Sequence, residues 1–218
     1  MSKGQSRNCP FCEAGVGPTD TVWYNQPLLS TPNFVVLPSI GALVPGWVLV
    51  APKKHFLSVA SIPYRFRQEL GGLLKRATGI VEQGFGATVQ FEHGPATHNS
   101  QIGCGLDHAH IHVVPIGFDL VDTARSDPTI AWSKLGSGFH EIQTQGNDYL
   151  AITNQVSSWI GHPIAPVSQY FRKLVALKLG IPDQFDYNKF SHIENVRITA
   201  QTLLKLSGIE GQAHAHAA

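Results

Sequence analysis

The 218-residue sequence is poor in charge: Asp, Glu, Lys and Arg make up 14% of it, and the formal net charge is +1. Without a strong field of either sign, bulk attraction to nucleic acid or to a membrane surface is excluded as an organising function. Any phosphate the chain recognises must be held by a few local groups. Long apolar runs are missing too. Nothing approaches the ~18 consecutive apolar residues of a membrane span, and the polar residues 1–8 have no apolar core of a signal peptide. Cysteine is scarce and odd in number: three in all, two of them in Cys9-Pro10-Phe11-Cys12. That argues against a secreted disulfide scaffold and for a reducing compartment. These absences lead us to expect a soluble, cytoplasmic protein without a nucleic-acid or membrane partner. No internal repeat or low-complexity tract is present. With 43% hydrophobic residues, one domain, or one domain and an appendage, can bury a substantial core.

Strands are expected at residues 21–24, 33–38 and 46–52, the last two as antiparallel neighbours bounded by Pro or Gly. Ser61 suits the cap of a helix with Pro63 in its first turn. From there Phe66, Leu70, Leu73, Leu74, Ala77, Ile80 and Val81 recur at three and four residues, an amphipathic stripe that Gly84-Phe85-Gly86 ends. Residues 88–93 suggest another strand, with Glu92 at its solvent-facing end or, less favoured, pointing inward to orient a ring. Strands, one long helix and further strands predict an α+β class. Residues 116–147 show no regular pattern. Beyond them a hairpin is expected at 149–160, turning at Asn154-Gln155, then a helix capped by Ser168 and a last helix over 188–206. Residues 1–116 thus predict a core, 117–218 an extension packed on it, and 208–218 a frayed tail.

The densest signal is Gly103-Cys104-Gly105-Leu106-Asp107-His108-Ala109-His110-Ile111-His112-Val113-Val114-Pro115. Histidine at every second position puts three imidazoles on one face of a strand and Ala109, Ile111 and Val113 on the other. Six ring nitrogens on one face need partners, so the row predicts function rather than filling. Such a row suits a nucleophilic enzyme, a histidine-ligated metalloenzyme of cupin or amidohydrolase type, or a nucleotide-binding protein without turnover. The metalloenzyme fits worst. An amidohydrolase barrel needs roughly 200 residues or more after an early His-x-His, and the first acid after this row is Asp119, too far for a cupin.

The string His108-Ala109-His110-Ile111-His112-Val113-Val114 resembles the signature of the histidine-triad (HIT) family, three histidines alternating with apolar residues. The resemblance covers residues 9–116, about half the chain. It implies a five-stranded antiparallel sheet with helices, a homodimer, and cleavage of nucleotidyl bonds at the α-phosphorus through a covalent nucleotidyl-histidine. The implied substrate contains a nucleotide: a dinucleoside polyphosphate, a phosphoramidate or a nucleotidyl sugar. Hydrolysis is favoured over transfer, because the hexose-phosphate uridylyltransferase branch has Gln where this chain has His112. His110 matches the family's nucleophile and His112 the donor to the phosphate oxygens. Asn99 matches a polar loop residue on the leaving side. Where many members carry a hydroxyl before the first histidine, this chain has Gly105. Gly103 and Gly105 would instead offer backbone N–H groups to a phosphate. In the second half, Arg172 near a helix start suits an anion.

Cys9 and Cys12 have the spacing that lets two thiolates of one turn bind one tetrahedral ion. Some HIT branches complete such a pair with a histidine after the second strand and with the first triad histidine. Here those positions are His55 and His108, which implies a structural zinc ion on Cys9, Cys12, His55 and His108. A redox dithiol is disfavoured, since the pair does not open a helix after a strand in a βαβ unit.

Overall fold

A computed structural model describes residues 9–14, 26–103, 105–136, 138–144, 146–165 and 167–207. The strand expected at 21–24, the tail at 208–218 and Cys104 lie outside the described residues. After a short helix α1 (Pro10–Ala14) come β1 (Leu29–Ser30), β2 (Phe34–Pro38) and β3 (Val48–Pro52), then α2 (Arg67–Phe85), β4 (Thr88–Gly94) and β5 (Ile111–Pro115). The second half adds α3 (Leu120–Arg125), β6 (Ile130–Lys134), β7 (Tyr149–Thr153), β8 (Ser158–Pro163), α4 (Tyr170–Lys178) and α5 (Ile193–Leu206).

The α+β class holds, but the sheet is larger than five strands. Among the described residues it has eight, in the order β1-β2-β3-β5-β4-β7-β8-β6, every neighbouring pair antiparallel. Five come from the first half. The other three join because β7 pairs along the outer edge of β4, Phe91 opposite Ile152. Residues 117–207 therefore continue the same sheet. Strand β6 and helix α3 arise where no regular pattern was expected: β6 is a sheet-edge strand with one buried residue in five, which leaves little alternation to see.

One face of the sheet is closed by α2. Its Leu70, Leu73, Leu74, Ala77 and Val81 form a cluster with Val36, Val48, Val50, Ile111 and Val113. Against the other face lie Phe171 and Val175 of α4 and Val196 of α5, packed with Val35, Leu37, Leu49, Phe91 and Val114. The long helix starts later than expected. Pro63 holds an extended backbone (ψ 139°), short 3-10 turns occupy Val59–Ser61 and Tyr64–Phe66, and the α-helix begins at Arg67. Ser61 donates to the Ser58 carbonyl (2.6 Å) instead of capping it. Gly86, at φ 96°, ends the helix in a conformation that side chains avoid. Ser168 is not a cap either. Gln169 turns left-handed (φ 54°) before α4, and Ser168 Oγ donates to the carbonyl of Gly103 (3.1 Å), tying the second half to the loop before the histidines.

Candidate active site and metal centre

The ladder of β5 begins at Ile111, opposite Val50 of β3, and pairs with β4 from His112 opposite Phe91. The strand thus starts three residues later than the histidine pattern suggests. Alternation still governs the approach. Ala109, Ile111 and Val113 lie in the α2 cluster, and the three imidazoles face the opposite side. All three are buried, at 1%, 7% and 3% exposure for His108, His110 and His112. Because His108 precedes the ladder, its carbonyl is not bound into it and accepts from His110 Nδ1 at 2.7 Å.

That bond sets a tautomer. With its hydrogen on Nδ1, neutral His110 carries its lone pair on Nε2, the state a nucleophile needs. His112 is set the other way. Trp47 Nε1–H donates to His112 Nδ1 at 3.0 Å, so the His112 hydrogen sits on Nε2. Phe91 stacks on His112 (centroids 4.6 Å apart, 26° between planes), and His93 meets it edge-on at 6.0 Å. His93 Nε2 in turn accepts from the Phe171 N–H (3.2 Å). Burial pulls the His110 pKa down, opposed by its bond to the His108 carbonyl and assisted by the Arg172 charge. His112 is held well below the ordinary histidine value, first by burial and then by its His110 and His93 neighbours. Both shifts favour the neutral ring.

A cavity of about 410 Å³ opens on His110 and His112, with Arg172 as its cation and Leu37, Ile40, Leu49 and Tyr187 among its apolar walls. Arg172 is 1% exposed. It donates to the carbonyls of Phe185 (2.8 Å) and Gly41 and lies over the Trp47 ring at 5.0 Å. An adjoining polar cleft of about 780 Å³ is lined by His98, Asn99, Ser100, Gln101, Gly103 and Asp107. Gly105 and Leu106 line both spaces. Of the residues singled out for substrate, the fold therefore brings Arg172 and Gly105 to the histidine cavity. It puts Asn99 and Gly103 in the neighbouring cleft. Asn99 is left-handed (φ 59°), its N–H held by Asp107 Oδ2 at 2.9 Å. Gly105 has φ +86°, and a Cβ there would come within 2.9 Å of Tyr187 Oη, so a side chain is excluded twice.

Cys9, Cys12, His55 and His108 converge. Their ligand atoms all lie within 4.8 Å of one another. Cys9 Sγ is 3.3 Å from His108 Nδ1, and Cys12 Sγ is 3.5 Å from His55 Nδ1 and 3.7 Å from His108 Nδ1. Ligands bound at roughly 2.0–2.3 Å around a tetrahedral ion stand roughly 3.3–3.8 Å apart, so the four side chains can hold a metal ion. His108 Nε2–H donates to the Pro52 carbonyl (2.7 Å), which fixes the ring with Nδ1 toward the thiols. Burial takes the His108 pKa to about 4 and keeps that nitrogen unprotonated. Phe11, between the cysteines, packs on both His108 (5.2 Å) and His110 (5.4 Å).

Trp47, His93 and Phe91 were missed as site residues. Only register reveals them: Leu49 opposite His112 puts the alternate residues Trp47, Leu49 and Ala51 on the histidine side of the sheet. For Glu92 the solvent-facing reading is overturned and the inward one holds. Glu92 is fully buried on the α2 side, accepting from Val59 N–H (2.7 Å) and Tyr149 O–H (2.6 Å).

No family model and no curated protein matches the chain. Among solved structures, it is similar to histidine-triad proteins. A hypothetical histidine triad nucleotide-binding protein from Sulfolobus tokodaii strain 7 matches at 14% identity and TM-score 0.44, over 94% of this chain and 98% of that one. A HIT family hydrolase from Legionella pneumophila matches at 21% identity and TM-score 0.38, over 52% of this chain and 96% of that one. Yeast Ap4A phosphorylase in complex with AMP matches at 10% identity and TM-score 0.39, over 75% and 73%.

Proposed function

We propose that the chain is a histidine-triad enzyme that cleaves a nucleotide adduct at its α-phosphorus. His110 Nε2 attacks phosphorus, a P–N bond forms, and the bond to the leaving group breaks with its electron pair going to that group. Water then opens the nucleotidyl-histidine, releasing a nucleoside monophosphate and restoring His110. His112 Nε2–H donates to a non-bridging oxygen, and Arg172 offsets charge gathering on the phosphoryl group. The apolar walls beside them suit a base, and the polar cleft past Gly105 suits a leaving group. A phosphate acceptor in place of water would make the same intermediate a phosphorylase. The Cys9, Cys12, His55 and His108 set suits zinc as a closed, structural ion. It would anchor α1 on the sheet beside the nucleophile. A homodimer working in the cytoplasm completes the proposal.

The observation that carries this reading is the bond from His110 Nδ1 to the His108 carbonyl, which leaves the Nε2 lone pair in a cavity shared with His112 and Arg172. The test is a panel of α-³²P-labelled dinucleoside polyphosphates, nucleoside phosphoramidates and nucleotidyl sugars, quenched within one turnover. We expect a labelled protein adduct on at least one substrate. His110→Asn should abolish it and reduce turnover by on the order of 10³-fold or more. A wild-type protein that turns over no member of the panel overturns the proposal.

A further inference from the structure

We propose that Trp47 is a positioning residue, which sets His112 as a hydrogen-bond donor toward the cavity. Its kinetic consequence rests on the nucleotidyl-transfer reading above; its structural part stands apart from it. An indole N–H only donates, and it does not titrate in the range where proteins fold. Trp47 is 0% exposed and His112 3%, so no bulk water competes for the 3.0 Å bond between Nε1 and Nδ1. Nδ1 must then accept, and the one hydrogen of the neutral ring must reside on Nε2. The opposite tautomer would set two N–H groups against each other in a buried space. It would also present a lone pair to an anionic oxygen.

The ring has little other freedom. Phe91 covers one face and His93 meets it edge-on. The tryptophan is itself held on several sides. Phe91 contacts it edge-to-face at 5.7 Å, and the Arg172 guanidinium lies over it at 5.0 Å. Just before it, Gly46 has φ +88° and donates its N–H to Thr199 Oγ1 of α5 at 2.7 Å. A Cβ on Gly46 would come within 2.7 Å of Phe85 and Pro115. Helices α4 and α5 of the second half thereby hold the residue that orients a histidine of the first. A His, Asn or Ser at position 47 could both give and take a hydrogen bond, and both tautomers of His112 would become accessible.

The experiment uses the full-length, metal-loaded protein labelled with ¹⁵N. Long-range ¹H–¹⁵N spectra of His112 between about pH 6 and 8.5 should show a neutral Nε2–H ring throughout. A through-hydrogen-bond coupling should link Trp47 Nε1 to His112 Nδ1. In Trp47→Phe the coupling vanishes and His112 shows the other tautomer, mixed or pure. The kcat for the best substrate falls roughly 10–100-fold, while KM stays within about two-fold. A wild-type His112 with its hydrogen on Nδ1, or a Trp47→Phe protein with unchanged tautomer and kcat, overturns the proposal. Should Trp47→Phe fail to fold, the coupling in the wild-type protein decides alone: present it supports the assignment, absent it overturns it. Failure of the nucleotidyl-transfer reading is seen separately, as wild-type protein that forms no adduct on His110 whatever its spectra show.

Discussion

The two faces of the sheet are built from consecutive residues and do opposite work. On the α2 side, Ala109, Ile111 and Val113 meet Leu70, Leu73 and Ala77 in an apolar layer. Its deepest polar group, Glu92, is held by Val59 and Tyr149, while the nearby Arg67 guanidinium donates to the carbonyls of Ala60, Ile62, His140 and Ile142. On the other side, directional bonds fix His108 to the Pro52 carbonyl, His110 to the His108 carbonyl and His112 to Trp47. The period of two separates them along this stretch: Ala109, Ile111 and Val113 go to the α2 layer, and the three imidazoles go to the other side. Within the histidine face there is a second division. His108 joins Cys9, Cys12 and His55 in the group that can hold a metal ion, whereas His110 and His112 open on the cavity.

The strongest way to break this comparison is at the metal end. Because a bound ion stabilises only the folded chain, its loss should cost about 5 kcal/mol or more, or roughly 10–20 °C in Tm for a chain of this size. His55→Ala should purify without stoichiometric metal and melt correspondingly lower. Mass-spectrometric metal analysis and calorimetry would read both, and unchanged metal content would remove His55 from the cluster.

Truncation on the α2 face comes next. Leu73 is 1% exposed, and Leu73→Ala should destabilise by roughly 2–5 kcal/mol yet leave adduct formation per folded molecule unchanged. Denaturant melts paired with active-site titration would check it. If adduct formation falls in step with stability, the two faces are not independent.

The smallest effect sharpens the comparison through pH. Burial first, against the bonds from Tyr149 and Val59 and the Arg67 charge, raises the Glu92 pKa from 4.5 to about 7. The folded protein therefore keeps a proton that the unfolded chain releases. This contribution is full below about pH 4.5 and is lost as pH rises through about 7, a change of roughly 3 kcal/mol. Urea melts at pH 5 and pH 8 should differ less in Glu92→Gln than in the wild type; an identical difference would clear Glu92 of the effect.

Much of the first half was legible because its signals are local. The stripe from Leu70 to Val81 fixed the helix's burying face, and alternation fixed which residues share a side with His110. Helix ends were less legible. Pro63 stops the α-helix from starting where Ser61 suggested, since its extended ψ breaks the run. The second half hid its main contribution, because pairing of β7 with β4 joins residues about 60 apart with no local mark on either strand. Strand β6, mostly exposed at the sheet's edge, lacks the alternation by which strands are read. In the site, that His110 and His112 share a face and that Cys9, Cys12, His55 and His108 meet was legible from the motif and its resemblance. Trp47 and His93 were not. Each reaches His112 only through strand register, which a single sequence does not print.

The position of β5 in the strand order has a last consequence, for motion. It lies fourth of eight, laddered on both sides, while the two-residue β1 and the exposed β6 form the outer edges. Amide hydrogen exchange should rank the strands accordingly, fast at β1 and β6 by fraying and slow at β5, whose amides open only when the whole sheet does. Of the three histidines only His112 lies in that ladder; His108 and His110 precede it and are held by their bonds to the Pro52 and His108 carbonyls.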